Sequence, residues 1–166
     1  MENRYSIEEL RRRLRQNWPE TATPETELMI GLLRLNDIVT NCTDRICADY
    51  NLTPAGFETL VTLRSLEPPR QLTPNELLRS ILVTSGGMTK VVHHLEQQGW
   101  VERVAHASDR RSRLVRLTAA GEAHIEACMA AVMQGDRDLL SPSLDDGEVA
   151  HLRDLLLRAV AKLEEG

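Results

Sequence analysis

Aromatic side chains are scarce in this chain: one Phe, two Tyr and two Trp among 166 residues. A core built without them must be filled by Leu, Val, Ile and Ala, which suits packed helices better than a β-sandwich. Long apolar runs are also missing. No uncharged stretch approaches the roughly 20 residues of a membrane span, so no membrane association is expected. The N-terminal residues include Glu2, Glu8, Glu9 and four arginines between Arg11 and Arg15, unlike a secretory signal. The three cysteines show no Cys-x-x-Cys spacing, and their odd number suits reduced thiols in a cytoplasmic protein. Enzyme signatures are lacking too: there is no Gly-x-Ser-x-Gly, His-Glu-x-x-His, phosphate loop or dinucleotide fingerprint. Of the five histidines only His93 and His94 are adjacent, and neighbours on a helix point in different directions. The chain is therefore expected to use no metal, no cofactor and no catalytic residues.

Positive charge is in short supply overall, with 20 basic against 25 acidic residues and a net charge of −5. Its distribution matters more than its sum. Between Arg79 and Arg116 stand seven basic residues and three acids, a local excess of four, which leaves −9 for the remainder. A positive face on an acidic body can steer a polyanion to one surface.

What is present reads as a succession of capped helices. Residues 1–23 form an N-terminal extension in which Ser6 and Glu9 have capping-box spacing, with Tyr5 and Leu10 at staple positions. Ile7, Leu10 and Leu14 give it a short amphipathic helix that Pro19 closes. Its arginines are either a solvated face or a DNA contact. From 24 to about 49, Leu28, Leu32, Leu35, Val39, Cys42 and Ile46 recur at steps of 4, 3, 4, 3 and 4. That heptad-like seam predicts a long helix packed on another helix, ending near Asn51. Thr53-Pro54 and Thr73-Pro74-Asn75-Glu76 are two further helix starts, the second a complete capping box. Thr84 and Ser85 offer a third, opening a helix from Gly86 to Gln98 that Gly99 stops. Two helices joined by a few residues make a helix-turn-helix arrangement. The alternating runs Trp100–Val104 and Leu114–Leu117 follow as an antiparallel hairpin with a basic tip. Thr118 caps a helix to about Leu139 with Ile125, Cys128, Met129 and Val132 on one face. A last helix, Leu144 to Leu163, carries Leu152, Leu155, Leu156, Ala159 and Leu163.

On the helix after Thr84, the residues Thr84, Ser85, Thr89, Lys90 and His93 fall opposite Val91 and Leu95, the positions read as buried. Gly86 and Gly87 lower helix propensity there by about 1 kcal/mol each. They serve either a tight turn or close backbone approach to a phosphate.

Two motifs carry a resemblance that extends over roughly residues 28–165. Ser85-Gly-Gly-Met-Thr-Lys-Val-Val-His-His-Leu-Glu-Gln-Gln-Gly-Trp-Val-Glu-Arg103 resembles the recognition helix and wing start of the MarR family of winged helix-turn-helix transcriptional regulators. Asp109-Arg-Arg-Ser-Arg-Leu-Val-Arg-Leu-Thr-Ala-Ala-Gly121 resembles that family's wing and next helix start. The resemblance implies a mostly α (α+β) fold: a winged helix-turn-helix with a small β-hairpin wing on a helical dimerisation frame. It implies a regulator whose partners are double-stranded DNA, a second copy of itself and a small aromatic or carboxylic effector. It also implies that Thr84, Ser85, Gly86, Thr89, Lys90 and His93 face the major groove. Arg110, Arg111 and Arg113 would enter the minor groove, with Arg111 inserting and Asp109 orienting it; a solvated charged loop is the alternative.

The expected division is 24–52 and 119–166 for the dimer frame around a DNA-binding domain at 53–118. Leu28, Leu32, Leu35, Val39, Leu152, Leu155, Leu156 and Leu163 would pair the two copies across a palindromic operator. Two alternatives stand beside this: a thiol-oxidation sensor of the same fold using Cys42 or Cys47, and a winged-helix module that binds protein and not DNA.

Overall fold

The computed structural model describes residues 5–80, 85–105 and 113–165. The chain divides into two compact units, 1–43 and 44–166.

In the first unit, helix α1 (Ile7–Asn17) begins at Ser6, whose hydroxyl accepts from the Glu9 N–H at 3.1 Å. The capping box expected there forms only by half, because the Glu9 carboxylate is taken by Arg12 and Arg13. Tyr5 lies under the Arg13 guanidinium, 3.8 Å from the ring centre. A short 3₁₀ turn (Pro19–Thr21) leads into helix α2 (Pro24–Asp49), whose bounds match the seam read from the sequence. Arg11 and Arg15 both donate to Glu27 of α2, at 2.7 and 2.6 Å, and hold its carboxyl below the usual carboxylate range. Of the four N-terminal arginines, all are thus engaged by acids of their own unit.

The second unit starts at the end of α2. There the N–H of Leu52 returns to the Cys47 carbonyl and that of Asn51 to Ala48, with Asn51 in the left-handed region at φ 56°. This is the double bond of a Schellman cap, and asparagine tolerates the required backbone better than most residues. Helix α3 (Pro54–Arg64) is capped by Thr53 and precedes strand β1 (Gln71–Leu72). Helix α4 (Pro74–Ser80) has the full capping box: Thr73 accepts from the Glu76 N–H, and Glu76 accepts from the Thr73 N–H. Helix α5 (Ser85–Gln97) ends in a second Schellman cap, with Gly99 at φ 73° and bonds Gly99 N–H to Glu96 and Trp100 N–H to Leu95. Strands β2 (Val101–Ala105) and β3 (Arg113–Leu117) pair antiparallel from Val101↔Leu117 to Ala105↔Arg113. Helix α6 (Ala119–Leu140) is capped by Thr118, and α7 (Asp146–Glu164) by an Asp145–Glu148 capping box.

Three expectations need correction. The hairpin is the larger part of a three-stranded sheet in the order β1-β3-β2, because Gln71 and Leu72 pair with Arg116 and Val115. Two residues are too few to show alternation. Arg70, at φ 53°, turns the chain so that its carbonyl accepts the Leu117 N–H at 3.1 Å. On α5 the core face is Met88, Val92 and Leu95, with Val91 only half-buried at its margin. The third concerns α6. Ile125, Cys128 and Val132 do not await a second copy: they are buried in the chain's own core with Leu60 and Leu63 of α3 and Cys47 of α2.

Where β2 leaves α5, the backbone of Trp100 lies flat against the first turn of α6. A Cβ on Gly121 would sit 2.0 Å from the Trp100 carbonyl oxygen, an impossible approach. Neither atom belongs to a flexible side-chain end. Gly121→Ala should therefore destabilise the chain by about 2–3 kcal/mol, since backbone must move to admit the methyl group. A urea midpoint unchanged from wild type would refute this packing.

Candidate nucleic-acid interface

Helix α5 presents two chemically distinct faces. Met88, Val92 and Leu95 are buried, while Thr89, Lys90, His93 and Gln97 are exposed on the opposite side. The Gln97 amide donates to His93 Nε2 at 3.1 Å, which orders the imidazole along the helix surface. Among the expected recognition-helix residues, Thr84 lies outside the described residues. Ser85 and Gly86 fall in the first turn of α5. On the wing, Asp109, Arg110 and Arg111 also lie outside the described residues. Arg113 is exposed at the start of β3, opposite Ala105.

The basic residues of this region are not equivalent. Arg116 pairs with Glu102 across the hairpin at 2.8 Å, and Arg103 with Glu96 at 3.3 Å. Exposed pairs of this kind contribute little to stability, but they cancel two of the positive charges counted from the sequence. Among the described residues, Arg79, Lys90 and Arg113 meet no acid. Of the described basic residues in this stretch, these three are left outside such pairs. Arg79 at the end of α4 and Gln97 on α5 went unassigned in the sequence reading. The first was legible as a basic residue in the last helical turn, the second as i+4 from His93.

A cleft of about 360 Å³ opens between α3 and α6. Val61, Ile125, Met129 and Met133 make it largely apolar, and the Arg64–Glu126 ion pair, at 2.6 Å, stands at its wall. Its volume lies within the range of small-molecule sites.

The cysteines differ in setting. Cys42 is half-buried on α2. Cys47 and Cys128 are fully buried beside each other. Burial and the neighbouring Cys128 thiol push Cys47 up to about 12, so its thiolate is scarce at neutral pH. Burial raises Cys128 as well. Of the described residues, no three His, Cys, Asp or Glu side chains gather as metal ligands, and no helix is long and apolar enough to cross a membrane.

A capped helix pair, an exposed polar face on the second helix and an antiparallel sheet directly after it define a winged helix-turn-helix protein. A sequence model of the MarR family matches residues 50–112. The HTH-type transcriptional regulator PecS of Dickeya dadantii is 33% identical over 135 residues, spanning 81% of this chain and 81% of that protein. The multiple antibiotic resistance protein MarR of Escherichia coli is 34% identical over 136 residues, spanning 80% of this chain and 92% of its own. The crystal structure of a cysteine-to-serine mutant of E. coli MarR complexed with operator DNA superposes with a TM-score of 0.63. Its identity is 32%, and the match covers 82% of this chain and 99% of that one. The chain belongs to the MarR family. It is a transcriptional regulator and not an enzyme, as those relatives are.

The thiol geometry has a measurable consequence. The unfolded Cys47 thiol ionises near pH 9, whereas the folded one keeps its proton to about pH 12. Its contribution to stability is complete below pH 9 and is lost as pH rises towards 12. The difference in unfolding free energy between wild type and Cys47→Ala should shrink over that window. A difference that stays constant or grows would contradict the burial of this thiol.

Proposed function

We propose that the protein is a homodimeric repressor that binds an imperfectly palindromic operator and is released by a small aromatic or carboxylic compound. The observation that carries this reading is the α5 surface: Thr89, Lys90 and His93 stand exposed opposite a fully buried core face. Lys90 has no acid partner among the described residues, and the wing follows directly. Such a helix places side chains against base edges in a major groove, while wing arginines reach the narrower minor groove. In this assignment Thr84, Ser85, Gly86, Thr89, Lys90 and His93 contact the major groove. Arg110, Arg111 and Arg113 contact the backbone or minor groove, and Asp109 orients Arg111. The E. coli relative captured on operator DNA supports the choice of partner.

Dimerisation is supported by apolar surface that the chain leaves uncovered. Leu28 is 61% exposed on α2 and Leu163 81% exposed on α7, where no residue is buried. Leu35, Leu152, Leu155 and Leu156 are exposed too, with Leu32 and Val39 half-buried. We assign the frame to 24–52 and 119–166, the DNA-binding part to 53–118 and the extension to 1–23. The first half of α6 serves the core of the DNA-binding part as well. Two copies place two recognition helices about 34 Å apart, one turn of duplex. The α3–α6 cleft is the place we assign to the effector, which acts by favouring one dimer geometry over another. The thiol-sensor alternative is weakened at Cys47 by complete burial and a raised pKa; Cys42, half-buried, is its remaining candidate.

Light scattering should return about twice the 18.7 kDa chain mass; a monomer that binds duplex tightly would remove the dimer. Arg111→Ala should weaken specific and non-specific binding together and flatten the salt slope by about one unit per monomer. Thr89→Ala or Lys90→Ala should cost about 1–3 kcal/mol on the preferred operator and much less on unrelated duplex. If Arg111→Ala instead abolishes base preference with affinity and salt slope intact, the roles of wing and helix are reversed.

A further inference from the structure

His124, in the first turns of α6, lies where the residues just after α2 and the junction of α5 with β2 come together. Its imidazole stacks on the Trp100 indole, with ring centres 3.8 Å apart and planes 13° from parallel. Its Nε2–H donates to the Tyr50 carbonyl at 2.9 Å, just beyond α2. The Tyr50 ring meets the same imidazole edge-on at 5.9 Å. From the other side, His94 of α5 approaches the indole edge-on at 6.4 Å.

Trp100 is the only residue between the glycine that ends α5 and the first residue of β2. It is therefore the residue through which the recognition helix passes into the wing strand. Its backbone is already tied at both ends: the N–H to Leu95, the carbonyl to the Thr118 N–H at 3.1 Å and to the Thr118 hydroxyl. Those bonds tie Trp100 to α5 and α6; His124, stacked on the indole and bonded to the Tyr50 carbonyl, adds the tie to the end of α2. We propose that His124 is a positioning residue for DNA recognition: it holds Trp100, and with it the helix-to-wing angle, against the end of α2. The inference rests on the DNA-binding role proposed above. Two elements that read one duplex must be held to within about 0.5 Å and 10–20° of each other, and the tie to α2 adds to the main-chain bonds that hold them.

Imidazole is suited to this place because it combines a flat ring with a ring N–H. Phenylalanine keeps the stack and loses the donor; glutamine keeps a donor and loses the stack. Each variant thus removes one of the two contacts by which His124 links Trp100 to the end of α2.

The test uses the full chain and two duplexes: one selected by the wild-type protein from random-sequence DNA, and a scrambled duplex of equal length and composition. His124→Phe and His124→Gln should each weaken the selected duplex by about tenfold and the scrambled one by less than twofold. In a Trp18→Phe background, His124→Gln should also shift Trp100 emission to longer wavelength as the ring gains water contact. On the unaltered chain, one of the five histidine ring signals should lie upfield in the NMR spectrum from the indole ring current. That reading needs no variant to fold. Wild-type discrimination that both variants retain would overturn the role of His124 alone, as would the absence of an upfield histidine. A wild-type chain that does not discriminate between the duplexes would overturn the DNA-binding reading and this role with it.

Discussion

The carbonyl of Trp100 is the point on which the second unit depends. It accepts from the Thr118 N–H and hydroxyl, and Gly121, two residues into α6, has no side chain to hold it off. Thr118 in turn accepts from the Gly121 N–H, so one threonine caps α6 and joins it to the start of β2. The Gly99 cap then fixes where α5 must end relative to that joint. Helix α5, the sheet and α6 are thus joined through main-chain bonds, the Thr118 hydroxyl and a missing methyl group. Leu60, Leu63, Leu77, Met88, Leu95 and Ile125, all fully buried, complete the core around this joint.

Charge is arranged by subtraction. The chain is acidic overall, and its acids are used to silence particular arginines: Glu27 for Arg11 and Arg15, Glu96 for Arg103, Glu102 for Arg116. Arg64 and Arg70 pair with Glu122 and Glu126 on α6. What remains unneutralised among the described residues includes Lys90 and Arg113, on or beside the elements that would meet DNA. A count of charges along the sequence overstates the potential of the described residues, because pairing across strands and helices is invisible to it.

Local signals in the sequence succeeded where they were dense. Thr53-Pro54, Thr73-Pro74 with Glu76, Gly99 and Thr118 each satisfy backbone groups within a few residues of themselves, so their effect needs no distant partner. Strand β1 gave no such signal: two residues become a strand only because β3 has a free edge at Arg116 and Val115. The Ser6–Glu9 box failed by half for a related reason, as two arginines one turn further on compete for the same carboxylate. Of the candidate site, Thr89, Lys90 and His93 were legible from helical period alone. The brace of His124, Trp100 and Tyr50 was not, since its members are 24 and 50 residues apart.

By itself the sequence determined the succession of helices, the caps at Thr53, Thr73, Gly99 and Thr118, and the two motifs that resemble the MarR family. These follow from backbone hydrogen bonding and a 3.6-residue period, which act over one or two turns. Only the tertiary structure decided what each apolar face is for. Ile125, Cys128 and Val132 look no different in sequence from Leu152, Leu155 and Leu156, yet the first set lies in the core and the second is exposed. Periodicity says that a face is apolar, whereas burial depends on which surface the chain brings opposite it, and that is settled only when non-local segments meet.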